Sequence, residues 1–593
     1  MKNLMENLMR FGIVLVVLTM VTSVGFAATQ EYKGPDGGTW CDDDNWKDET
    51  PRDGKKDDAE IDNGNTVVID CEPAELDELM IIDGGVQVGT ATSGPFFLRV
   101  DGDLEMADSS SSDFAILDIV NGDVYVEDQS KDLAEDGDIQ ITIAAGSSLT
   151  LDDGVYFGDS SDGGDSVYDL DIAGDFAVNG DRIEHRGGQL IVDLTGDGTF
   201  SWEKTCRLSS DNDSVATFNL SGNAAVNMDG DIELGEKDDG ADFAYSLAVN
   251  MSGDSTWGTD GEEIKFQDKG QILNITVTDN ASLEVKDIND GDEDDGEVNI
   301  TVSGNGSVEI TDDCDIGQGD ISITGNGGFY VNDTFRLGIG GATSMTVAST
   351  GDVYVGELEM GKKGKEAKLT IDGCRVDAKR LDGMGSNSSI DILGTGSLVI
   401  SDADDPEDWD EVADLIDDGQ IMTSEEGMIV VWDYGVTNDG KLTVRIALPV
   451  DVDIQPGGCP NPLRVNLIGG GIYPVAILGS EDFDVLNVDV ATITLQGVSP
   501  VRSSYDDVST FGGEACECTA EGPDGFLDLT LKFKRQDILT ALEECVGDLR
   551  ELEHRTEIPL TLSGYLIEPD DDILLEGVDC LRVLNRGRIK TKK

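Results

Sequence analysis

Histidine is nearly absent, with two in 593 residues, and positive charge is scarce, with 40 Lys and Arg against 122 Asp and Glu. The first shortage removes the side chain on which most general acid–base pairs, nucleophile triads and zinc sites are built. His185 and His554 each stand in a charged stretch without a patterned Ser or Asp partner. No nucleophile elbow, zinc His pair or phosphate loop is present. The second shortage gives a formal net charge of −82. It argues against a nucleic-acid partner, because phosphate contacts need a basic face, and it disfavours docking on anionic lipid. Proline is sparse at 14 residues while glycine reaches 73, a balance that reads as many short strands joined by tight turns.

Long apolar runs are missing too, with one exception. Lys2 and Arg10 precede an apolar run from Phe11 to Val21, and Gly25 and Ala27 supply small residues before Ala28. This pattern predicts a secretory signal peptide over 1–27, too short in its apolar stretch to span a membrane comfortably. No Cys follows that run and no apolar segment closes the chain, so a secreted protein without a lipid or membrane anchor is expected.

What is abundant is alternation. Apolar residues make up 38% of the chain and recur in short period-2 runs, which argues for folded β-structure over charged disorder. The runs form an internal repeat: Leu170-Asp-Ile-Ala-Gly-Asp-Phe-Ala-Val, Ile275-Thr-Val-Thr-Asp-Asn-Ala-Ser-Leu-Glu-Val, Ile300-Thr-Val-Ser-Gly-Asn-Gly-Ser-Val-Glu-Ile and Ile390-Asp-Ile-Leu-Gly-Thr-Gly-Ser-Leu-Val-Ile. Each copy is a strand, a Gly/Asn/Asp turn and a second strand. Copies begin roughly 20–29 residues apart, the length of one solenoid coil. Leu, Ile and Val fall on one face, which a single coil cannot bury alone. A β-sandwich also alternates strands and turns, but it does not need one unit repeated about a dozen times. The expected fold is all-β: a right-handed parallel β-helix over 96–400, followed by a C-terminal β-sandwich-like domain over 448–585. Caps are expected over 28–95 and 401–447, and a basic tail over 586–593. Within the second cap, Asp405-Pro406 should open a helix with Trp409, Val412, Ala413 and Ile416 on one face and Gly419 at its end.

Ten cysteines follow the signal segment, and even parity in an exported chain favours disulfides. Cys41 and Cys71 form a plausible local pair. Cys516 and Cys518 are too close to bond to one another comfortably, so each seeks Cys459, Cys545 or Cys580. Cys206, Cys314 and Cys374 are read as buried thiols. A zinc site at Cys516-Glu-Cys518 is the minor alternative.

Two regions carry resemblances. Trp40-Cys-Asp-Asp-Asp-Asn-Trp46, Pro51 and the alternating strand from Ala59 to Asp70 resemble the opening segment of secreted, autotransporter-like bacterial β-solenoid proteins. Val452-Asp-Ile-Gln-Pro-Gly, Tyr473-Pro-Val-Ala-Ile-Leu and Gly522-Pro-Asp-Gly-Phe-Leu-Asp-Leu resemble an accessory β-module appended to many bacterial surface proteins. In that module a compact D-V-N-G-D-G-x-x-D-L loop offers oxygen ligands around a Gly turn, the chemistry of Ca²⁺. The matching positions here are Asp507, Asp524 and Asp528, separated by a Cys-bearing insertion, with a solvated turn as the alternative. The acidic turn from Asp287 to Gly296 is a second place to look for calcium.

The function expected from all this is a structural or adhesive protein of a bacterial surface layer or extracellular matrix, stabilised or cross-linked by calcium and not an enzyme. Its partners would be further copies of itself or other matrix components, polysaccharide among them. The alternatives are a carbohydrate-binding or polysaccharide-cleaving β-helix, and an exported protein whose acidity is adaptation to high salt. Among so many carboxylates, no single pair marks a catalytic site.

Overall fold

The computed structural model describes residues 29–584 except 49, 52–56, 72–74, 108–112, 130–132, 135–136, 159–165, 209–213, 236–244, 260, 268–269, 290–295, 464–470, 511–515, 517–521 and 568–572. The expected signal segment and basic tail lie outside the described residues. Strand accounts for 57% of the structure against two helices. A parallel β-solenoid of about 13 turns covers residues 29–400, and a small antiparallel β region follows. The chain divides into two compact units, 1–368 with 381–388, and 369–380 with 389–593.

In the first unit, coil formation follows from alternation. The strands Ile272–Val277, Glu297–Val302 and Gly319–Gly325 pair in parallel, with Ile275 over Ile300 and Ile300 over Ile321. The same column runs back through Val249, Phe218, Val192, Leu170 and Ile141, all buried. A one-residue slip would turn every member of the column outward, so burial fixes register. Each aliphatic side chain buried this way contributes roughly 1.5–3 kcal/mol. Midway, Phe218 of this column meets rings from a column of the other sheet: Phe176–Phe200, Phe200–Phe218 and Phe218–Trp257 centroids lie 5.0, 6.0 and 5.3 Å apart.

The turn after each of these strands repeats as faithfully as the strand. Gly253, Asp279, Gly304 and Gly325 occupy it with φ of 71, 57, 65 and 69°. At Gly304 a Cβ would lie 2.9 Å from the Asp279 amide nitrogen, so coil spacing and the left-handed backbone both call for glycine. Beside this corner runs a ladder of amides. Asn280 donates to Asp254 at 2.8 Å, Asn305 to Asn280 at 2.9 Å and Asn326 to Asn305 at 3.1 Å.

The parallel stack begins earlier than residue 96. Asp58–Ile69 already pairs in parallel with Leu79–Val88, which pairs with Phe114–Ile119. The residues read as a cap are therefore coils whose start is tied down locally. Trp40 and Trp46 meet edge to face with centroids 4.7 Å apart, Trp46 Nε1 donates to the Trp40 carbonyl at 2.8 Å, and Cys41 is bonded to Cys71.

In the second unit, Arg375–Ala378 pairs in parallel with Ser397–Ile400, which then pairs antiparallel with Leu442–Arg445. That change of direction closes this sheet with an antiparallel strand, while in the other sheet Ile390 and Asp391 still pair in parallel with Ile421 and Met422. Helix α1, Pro406–Asp417, starts where Asp405 accepts the Glu407 N–H, and Gly419 follows it at φ 72°. Two antiparallel sheets then share one core, built from Ile454, Val475, Leu531 and Phe533 on one side and Leu495, Leu560, Leu562 and Leu581 on the other. A second helix, α2 over Arg535–Val546, packs Ile538 and Leu542 into that core. Sequence analysis missed it, although the Ile538/Leu542 spacing and Gly547 mark a helical stripe and its stop.

Cys516 is bonded to Cys580, with Cα atoms 4.7 Å apart, which removes Cys516 from the alternative zinc site. Cys459 is disulfide-bonded as well, while Cys518 lies outside the described residues. Cys545, a disulfide candidate from sequence, is instead a free, exposed thiol on α2. Its helix turns it to solvent. Cys206, Cys314 and Cys374 are buried thiols, the first two filling aliphatic positions of the stack. Among the described residues no helix is long and apolar enough to cross a membrane.

The solenoid reading makes two predictions. Ile300→Asp, which puts a charge into the column, should cost on the order of several kcal/mol, whereas Thr301→Asp on the outer face should stay within about 0.5 kcal/mol. Equal effects in chemical denaturation would mean that Ile300 does not face a core. The other concerns His185, fully buried, whose Nδ1 lies 2.7 Å from the Tyr245 hydroxyl. Burial lowers its pKa to about 4, so between the unfolded value near 6.5 and about 4 the unfolded chain binds the extra proton. His185 stability is therefore fully present above about pH 6.5 and is lost as pH falls towards 4. Melting curves of wild type and His185→Leu should diverge over that window, with wild type showing the steeper decline on acidification; parallel curves would contradict the assignment.

Candidate cation-binding surface

The outward positions of the parallel strands stack in register just as the inward ones do. One outer column runs Thr142, Asp171, Asp193, Asn219, Asn250 and Thr276. Asp169 projects from the same face as Asp171, two residues earlier on its strand. The strands thereby bring Asp169, Asp171 and Asp193 together, with one carboxylate oxygen from each within 4.8 Å of the others. All three are half-buried. Asn219 donates to Asp193 at 2.7 Å and Asn250 to Asn219 at 2.9 Å. Burial pushes the Asp169 carboxyl up, and the neighbouring Asp171 and Asp193 charges add to the shift. Among the described residues no Lys or Arg forms an ion pair with the triad. Beside it lies a groove of about 430 Å³ bordered by Asp171, Asp193, Thr195, Asn219, Ser221 and Asn250. Carboxylate, amide and hydroxyl oxygens at this density are what a hard divalent cation needs.

A second triad, Asp312, Asp313 and Asp333, forms where another outer face turns, and here the chain supplies its own cations. Arg336 lies 3.2 Å from Asp313 and Lys286 lies 4.0 Å from Asp312. The few basic residues are repeatedly placed this way, between carboxylates of neighbouring coils. Lys265 bridges Asp231 at 2.6 Å and Glu263 at 3.0 Å; Lys286 bridges Glu263 at 2.7 Å and Asp287 at 3.1 Å; Arg336 also reaches Asp315 at 2.7 Å and Glu359 at 3.1 Å. Hydrogen bonds from Lys286 and Lys265 lower the Glu263 pKa to about 2 against the opposing effect of burial. Each exposed pair contributes little by itself, but together they relieve repulsion along one outer strip of the solenoid. Among the described residues no basic side chain gives the Asp169/Asp171/Asp193 triad such relief.

The calcium positions expected from sequence accept backbone N–H groups. Asp507 accepts the N–H groups of Asp524 and Gly525 at 3.0 and 2.9 Å, and Asp524 accepts that of Phe526 at 3.0 Å. Asp528 is fully buried and accepts from Gly479, Val508 and Ser509 at 3.1, 2.7 and 3.2 Å. Asp507 and Asp524 cap amides of one loop, Asp528 joins that loop to Gly479, and the two carboxylate triads whose oxygens converge within 4.8 Å lie on the solenoid. Asp287, from the other acidic turn, accepts the Asp313 N–H at 2.8 Å beside Lys286; residues 290–295 of that turn lie outside the described residues. Sequence analysis missed both triads because their members come from different coils. Aligning Tyr168-Asp-Leu-Asp171 with Leu190-Ile-Val-Asp193 in register would have found the first.

Comparison with known protein families, with curated proteins and with solved structures finds no match.

Proposed function

We propose that this protein is a secreted structural or adhesive component of a bacterial surface layer or extracellular matrix, in which divalent cations, calcium first, stabilise the chain and link copies of it. The observation that carries this reading is the uncompensated Asp169/Asp171/Asp193 triad on a flat, in-register, oxygen-rich face. A solenoid presents such a face rigidly, so carboxylates of two molecules can share a cation without first ordering a loop. Two described disulfides accord with an oxidising, extracellular setting. Catalysis is not part of the proposal: His185 is sealed inside the core, and no described cluster supplies acid, base and oxyanion support together.

A second reading draws on the groove beside the triad, whose amide, hydroxyl and carboxylate lining also suits the hydroxyls of a polysaccharide. In a matrix the two readings are compatible, since a cation can bridge protein and glycan oxygens alike.

The proposal predicts that calcium raises the melting temperature and the sedimentation coefficient well beyond NaCl or KCl at the same ionic strength. Monovalent salt only screens, over a Debye length of about 8 Å at physiological strength. Replacing Asp171 and Asp193 with Asn should remove a large part of the calcium-specific response. Equal responses to calcium and matched sodium would leave the acidity as adaptation to salt. Incubation with pectin, alginate or chitin should give no new reducing ends; cleavage abolished by one carboxylate substitution would make the protein an enzyme.

A further inference from the structure

Three carboxylates are buried inside the C-terminal module, where the surface argument does not reach. Asp453, on the strand Val452–Ile454, is 4% exposed; Asp528, opening Asp528–Lys534, is 0%; Asp579, in Leu574–Val583, is 4%. One connected network ties them together. Ser509 donates its hydroxyl to Asp453 Oδ2 at 2.5 Å and its N–H to Asp528 Oδ2 at 3.2 Å. Asp579 Oδ2 accepts the N–H of Ile454, the neighbour of Asp453, at 2.7 Å, and Nδ2 of Asn461 at 2.9 Å. Asp579 Oδ1 accepts the Cys580 N–H at 2.6 Å. No Lys or Arg among the described residues pairs with any of the three.

Burial without a countercharge is costly unless every lone pair is used. Asp528 and Asp579 approach that condition, with three N–H donors each and both oxygens engaged. Asp453 does not: its Oδ1 is buried without a partner. Asn461, 2% exposed, is in the same position. Its Nδ2 is engaged with Asp579 and with the Cys580 carbonyl at 3.2 Å, which fixes the amide orientation, and its Oδ1 is buried without a partner. Both orphans are acceptors, in one network that carries three carboxylates and no cation. A water molecule can donate to either oxygen, but it leaves the three carboxylate charges unanswered, whereas a single cation meets both oxygens and offsets the charge.

We propose that the C-terminal module holds a buried divalent cation, calcium by its ligand chemistry, on Asp453 Oδ1 and Asn461 Oδ1, with Asp528 and Asp579 supplying countercharge and bound water completing the shell. All the available donors are oxygens, which selects a hard cation. The adjacent Cys580 is closed in its disulfide with Cys516 and offers no thiolate to zinc. Burial pushes the Asp453 and Asp579 carboxyls up, the direction that a bound cation would reverse. The site also joins Asp453 and Asp528, which belong to two of the segments singled out in the sequence, with Asn461 eight residues beyond Asp453. It does not depend on the surface triads, and either can fail without the other.

The test uses the whole secreted chain, stripped with EDTA and dialysed against radioactive calcium in 0.5 M NaCl to screen surface carboxylates. Wild type and the Asp171→Asn/Asp193→Asn surface variant should each retain one tightly bound calcium per chain. Asp453→Asn and Asn461→Ala should weaken that site at least tenfold. Absence of a tight equivalent in wild type, or its survival in a folded Asp453→Asn chain, would overturn the proposal. Should the variants fail to fold, hydrogen exchange on wild type decides. Chelation should speed exchange selectively in 452–454 and 574–583 and calcium should restore protection, whereas unchanged exchange there would contradict the site.

Discussion

Everything in the long N-terminal part of this molecule depends on a coil being unable to bury its own apolar face. One strand–turn–strand unit exposes a row of Leu, Ile and Val that only another copy can cover, and covering it in register places Ile300 between Ile275 and Ile321. Once the inward columns are aligned, the outward ones have no freedom left. Asp193 must lie over Asp171 and Asn219 must lie over Asp193, whatever their electrostatic preference. The hydrophobic ladder thus forces the acidic one into existence.

The net charge of −82 makes that consequence severe. The protein answers it in three ways: amides between carboxylates, as with Asn219 and Asn280; scarce cations shared among several acids, as with Arg336; and backbone N–H groups aimed at carboxylates, as with Asp528. At Asp169/Asp171/Asp193 on the surface and at Asp453 in the interior these devices leave carboxylate charge without a cationic partner among the described residues. Both cation proposals rest on that shared deficit, one exposed and one buried.

The sequence was most legible where structure is local and periodic. The repeat, the turn glycines, the Cys41–Cys71 pairing and the helix opened by Asp405-Pro406 all depend on residues near one another in the chain. The antiparallel closure at Leu442–Arg445 was harder to read, since strand direction is decided by tertiary pairing and leaves no periodic trace. Helix α2 was passed over because the module was read for strands. The triads and the Asp453–Asn461–Asp579 network were invisible for a related reason. They join residues from different coils, or residues 118 to 125 positions apart, and nothing in composition or spacing distinguishes those acids from the rest. Asp507 and Asp524 show the converse: a motif with metal-like spacing whose carboxylates cap their own loop.

The central claim is that externally supplied divalent cations hold this acidic solenoid in its assembled, working state. It is tested most directly on native surface material containing the protein, imaged by electron microscopy before and after chelation with EGTA at constant ionic strength. The account predicts that the material releases this chain on chelation and takes it back on adding calcium, while an equivalent ionic strength of sodium fails to restore it. Material that keeps the chain in place through chelation, or that reassembles as readily in sodium, would contradict it.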